Sequence, residues 1–74
     1  MIGFDVYYDG GFIHEESGFD VEEITEVIDY VFDWWGGDAY ESDGMKAEDV
    51  LIVLYDGEDK EEWTMAELIE EYGA

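Results

Sequence analysis

The chain reads as an α+β domain of order ββαββα, a small antiparallel or mixed sheet with its helices packed on one face. Three observations predict it. Two Asp-Gly turn signals, Asp9-Gly10 and Asp56-Gly57, each sit between apolar-patterned stretches, the mark of hairpins. Two Ser/Thr/Asp-x-x-Glu boxes, Asp20 with Glu23 and Thr64 with Glu67, each open a helical pattern. Between them Val50–Tyr55, VLIVLY, is a continuous apolar run of strand length.

The elements follow in order. Ile2, Phe4, Val6 and Tyr8 alternate with Gly3, Asp5, Tyr7 and Asp9, so the first strand is half-buried. Asp9-Gly10-Gly11 turns it, and Phe12–Ser17 returns. Gly18 breaks the return strand ahead of a helix expected over about 20–35. Asp20 caps that helix, Phe19 and Ile24 form a hydrophobic staple, and Gly36-Gly37 supply a left-handed exit. At about 100° per residue, Val21, Ile24, Ile28, Val31, Phe32 and Trp35 share the core arc. Residues 36–49 read as a loop with a turn at Gly44 and one helical turn around Met45–Glu48. Val50–Tyr55 is the central strand, buried on both faces or nearly so. Lys60–Trp63 returns as a charged edge strand. Thr64 caps a last helix over 65–72, with Trp63 and Leu68 as its staple and Gly73 as its stop. The two halves look alike because two ββα units obey the same turn and cap rules.

Seventy-four residues make a single domain, 1–74, near the lower limit for folding without staples. With no cysteine, neither disulfides nor thiolate metal sites are available. No apolar run approaches 18 residues and no basic segment opens the chain, so the expectation is neither membrane span nor signal peptide, and a place in the host cell cytoplasm. Charge is the extreme feature: 23 acids against two lysines and no arginine, a net charge of −21. Disorder is the first explanation for such a balance. A hydrophobic content of 47%, an aromatic content of 18% and the absence of proline argue instead for a folded core. Solubility alone needs a net charge of only about 2–8 in a small domain. Nucleic acid and anionic membrane are excluded as partners by sign; a basic protein surface remains, or a very saline solvent.

Catalysis finds no foothold. His14 is the only histidine, placed among glutamates in a strand, and reads as a partly exposed polar residue. No serine or threonine has a plausible triad base beside it, so a triad is not expected. Setting Gly44 at position 6 of a calcium loop puts Ala39 at position 1 and Val50 at position 12, which breaks the EF-hand pattern. The reading is of a non-enzyme with no cofactor and no metal.

The charge itself is the candidate function. Glu22, Glu26, Asp29 and Asp33 fall opposite the core arc of the first helix, roughly 4.5–6 Å apart along its axis. Tyr30 and Trp34 fall beside that stripe, as aromatic anchors that a solvated face does not need. Asp38, Glu41 and Asp43 extend the acidity into the following loop. Duplex DNA carries one charge per about 1.7 Å of axis, so 21 charges match roughly 36 Å of duplex. A chain of this length folds to a diameter of about 30 Å. Carboxylates on a rigid frame then stand in for phosphates. The expected partner is a basic DNA-binding protein of the host: a restriction enzyme, a CRISPR effector or another nuclease. Two alternatives stay open, a halophilic protein acidic by solvent adaptation and an immunity-type inhibitor of a basic nuclease.

In composition the chain resembles the small acidic DNA-mimic proteins that phages and mobile elements direct against host defence, of anti-restriction and anti-CRISPR type. Tyr8-Asp9-Gly10-Gly11-Phe12-Ile13-His14 is similar to a strand–turn–strand stretch of the ArdA anti-restriction family, Tyr-Asn-Asn-Gly-aliphatic-Leu-His, and an acidic helix follows in both. The aromatic that follows the histidine in that family is Glu15 here, and this chain is far shorter. The resemblance implies an acidic surface occupying the DNA groove of a restriction enzyme.

Overall fold

The computed structural model describes residues 2–37 and 45–73. Strands β1 (Ile2–Tyr8) and β2 (Gly11–Ser17) form the first hairpin. Its two central turn residues, Asp9 and Gly10, both hold positive φ, 51° and 79°. That is the I′ turn, whose twist matches the strands it joins. Strands β3 (Val50–Asp56) and β4 (Asp59–Thr64) form the second hairpin, turned by Gly57 at φ 63°.

The two hairpins meet at β1 and β3, giving one sheet of order β2-β1-β3-β4, antiparallel throughout. The expected alternation of β1 is observed: Ile2, Phe4 and Val6 are buried. β3 is central as expected, but only one of its faces is fully buried, at Val50, Ile52 and Leu54; Leu51, Val53 and Tyr55 are half-buried. β4 is a charged edge strand, with Asp59–Glu62 exposed. β2, the other edge, carries a bulge: Val6 pairs with His14 and Tyr7 with Phe12, which leaves Ile13 as the extra residue.

Helix α1 (Ile28–Gly37) starts later than its sequence suggests. A 3₁₀ turn, Ile24–Val27, precedes it, and the capping acids are Glu23 and Glu26 rather than Asp20 and Glu23. The Glu26 carboxylate accepts the backbone N–H groups of Glu22 and Glu23 at 2.8 and 2.9 Å. Phe19 stacks on Phe4, with ring centroids 6.1 Å apart, and so leans onto the sheet. α1 runs through Gly36 and Gly37, so the glycines form its last turn instead of its exit. A second 3₁₀ turn, Ala47–Asp49, lies close to the helical turn expected at 45–48; the turn expected at Gly44 falls outside the described residues.

Helix α2 (Met65–Tyr72) matches its sequence reading in both bounds. Thr64 Oγ1 accepts the Glu67 N–H at 3.0 Å, and the Glu67 carboxylate accepts the Thr64 N–H at 2.9 Å. Both helices cover the same face of the sheet. There Phe4, Val6, Ile52 and Leu54 pack with Val27, Val31, Met65 and Leu68 in one core. The radius of gyration is 11.5 Å and the extents are 32 × 28 × 19 Å. Among the described residues no helix is long and apolar enough to cross a membrane.

Candidate functional site

The delayed start of α1 rearranges the acidic stripe. Asp29 and Asp33 lie exposed on the α-helix, one turn apart, as expected. Glu26 is exposed within the 3₁₀ turn, but its carboxylate is held back against the chain by the two N–H groups it caps. Glu22 precedes the helix altogether. The four acids thus do not form a single helical row. Tyr30 is 40% exposed, and its ring lies against Phe19 with centroids 4.2 Å apart. Asp38, Glu41 and Asp43 lie outside the described residues.

Trp34 corrects the sequence reading. It is 3% exposed, a core residue, and cannot serve as a surface anchor in this fold. The cause is the phase of the helix. Val21 and Ile24 are not on α1, so the apolar stripe recentres on Val27, Val31, Trp34 and Trp35, spaced i, i+4, i+7 and i+8. β2 supplies the second cause. His14 and Glu16, two apart, point to the helix-bearing side. His14 lays its ring on Trp34, with centroids 5.3 Å apart and planes 18° from parallel. Its Nε2 sits 2.8 Å from Glu16 Oε2. His14 is therefore a half-buried packing residue, in line with its sequence reading.

Electrostatically the molecule is nearly uncompensated. Among the described residues no charged side chain is buried, and every acid is exposed or partly so. His14 with Glu16 is the one contact at salt-bridge distance found among them. Near the second hairpin, Glu23, Asp56, Asp59 and Glu61 line an open groove of about 390 Å³, with Ile24 and Thr25. Among the described residues no group of acids and histidine is arranged to hold a metal ion. No family model, curated protein or solved structure matches this chain.

Sequence reasoning missed the open face of the sheet. The strand pairings place its residues in three rows. Phe12, Tyr7, Leu51 and Thr64 form one row; Glu15, Asp5, Val53 and Glu62 form the next; Ser17, Gly3, Tyr55 and Lys60 form the last. Tyr7 and Phe12 meet edge to face, with centroids 5.6 Å apart. Phe12 is 54% exposed. The Tyr55 hydroxyl reaches over Gly3, where an added Cβ would lie 2.7 Å from it and would also collide with the Glu16 carbonyl oxygen. Gly3 is thus a close-approach glycine that lets an aromatic ring lie flat on the sheet. The alternation of β1 gave a hint of this face, but only the pairing of β1 with both β2 and β3 assembles it.

Proposed function

We propose that this chain is an acidic inhibitor that occupies the basic DNA-binding channel of a host defence protein, a restriction enzyme or a CRISPR effector. One observation carries the reading: a folded apolar core carries a net charge of −21, and among the described residues only His14 with Glu16 brings oppositely chargeable side chains within salt-bridge distance. A protein adapted only to stay soluble does not need −21 on 74 residues. The longest extent, 32 Å, is close to the roughly 36 Å of duplex that bears the same charge. The likeness of residues 8–14 to the ArdA hairpin points the same way.

The physics of the inhibition is competitive. A channel that binds phosphates through lysine and arginine attracts carboxylates by the same residues, and a uniform field speeds the encounter. Exposed carboxylates such as Glu22, Asp29 and Asp33, with Tyr30 exposed beside them, are available to such a channel. Capture from host lysate at low salt, with elution by competitor duplex, tests the reading. It expects a DNA-binding protein to be released by duplex. Capture that duplex fails to reverse would contradict it.

A further inference from the structure

We propose that the open face of the sheet is the docking surface, and that its occupant is an arginine-bearing surface of the basic partner. The inference rests on the partner reading above and sharpens it to one face and one cation.

Two features of that face need explaining. First, among the described residues no element covers it, yet Tyr7, Phe12 and Val53 stand on it outside the core. Second, Asp5 and Glu15 are directly opposed across β1 and β2. Like charges in that position destabilise a sheet. Glu62 continues the same row beyond Val53. The row with the Phe12 and Tyr7 rings therefore lies beside the row with the Glu15, Asp5 and Glu62 carboxylates, about 6.7 Å away along the strands. A guanidinium is planar, stacks on aromatic faces and pairs with a carboxylate in the same pose. An ammonium is a hydrated point charge and does only the second well. The face thus matches arginine.

Charge complementarity also decides against a second copy. Two bodies of −21 repel. Three rows on four strands cover roughly 400 Å², about half of what each side of a stable interface contributes. A dimer has no source for the remainder, whereas a basic partner draws on the acids that flank the face.

The test titrates isotope-labelled protein with nona-arginine and nona-lysine peptides in about 0.1 M salt, followed by amide chemical shifts. Tighter binding of the arginine peptide is expected, with shifts at Asp5, Tyr7, Phe12 and Val53. Phe12→Leu keeps the apolar bulk at an exposed edge and removes the ring. It should weaken the arginine peptide roughly threefold and leave the lysine peptide unchanged. Shifts confined to α1, or equal losses for both peptides, overturn the docking face while the basic-partner reading stands. No salt-sensitive binding of either peptide overturns both. Sedimentation that shows a dimer whose contacts shift the same amides overturns it in favour of self-association.

Discussion

Trp34→Ala should unfold much of this protein rather than only weaken its binding. The side chain is 3% exposed, with its ring stacked on His14 of β2. An aromatic residue buries about 150–250 Å². At about 25 cal/mol per Å² that is roughly 4–6 kcal/mol. Measured aromatic-to-alanine losses in cores run about 3–5 kcal/mol, so about 4 kcal/mol is expected. A domain of this length holds only about 4–11 kcal/mol in total. The variant should therefore sit at the edge of folding, while Trp34→Phe, which keeps a ring against His14, should lose about half as much. Urea unfolding followed by far-ultraviolet circular dichroism, in about 1 M salt to relieve charge repulsion, measures both. A loss below about 1 kcal/mol for Trp34→Ala would refute the placement of Trp34 in the core and return it to the surface.

Three further outcomes follow from the same structure. Thr64→Ala removes the reciprocal cap of α2 and should cost about 1 kcal/mol, read as a fall of the urea midpoint by close to 1 M. Glu26→Ala frees the N–H groups of Glu22 and Glu23 and should cost about 1 kcal/mol; Glu26→Gln, which keeps an acceptor oxygen, should cost less, and equal losses would mean that charge rather than capping is at work. Raising salt from about 0.1 to 1 M shortens the screening length from about 10 to 3 Å. Calorimetry should then show the melting temperature rising by at least about 5 °C, the equivalent of roughly 1 kcal/mol. A flat response would contradict a charge-strained fold, and a chain unfolded until molar salt is added would favour solvent adaptation.

What the sequence made legible was whatever depends on neighbours in the chain. Thr64 and Glu67 fix the start of α2 because their hydrogen bonds span three residues. Asp9-Gly10 and Gly57 mark the hairpins because the turns need positive φ. The start of α1 was ambiguous for a compositional reason. In a segment this acidic, Asp20 with Glu23 and Glu23 with Glu26 both look like capping pairs, and only packing selects the second. That shift hid the burial of Trp34, because counting Val21 and Ile24 on the helix drew the centre of the apolar arc away from Val27 and Trp34. The bulge at Ile13 and the pairing of β1 with β3 are contacts between distant residues, which periodicity does not encode. The open sheet face depends on both.

Under the proposed function, the surface charge serves to displace DNA from a basic channel. Fluorescence anisotropy of a labelled duplex bound to a restriction enzyme or CRISPR effector of the host measures it directly, with the protein titrated in at several salt concentrations. Stoichiometric release of the duplex is expected. The salt dependence should be shallower than that of DNA binding itself, since a folded protein lacks the condensed counterions that duplex DNA sheds. Anisotropy that stays at its bound value across the host's DNA-binding defence enzymes, with the protein folded and in excess, would contradict it.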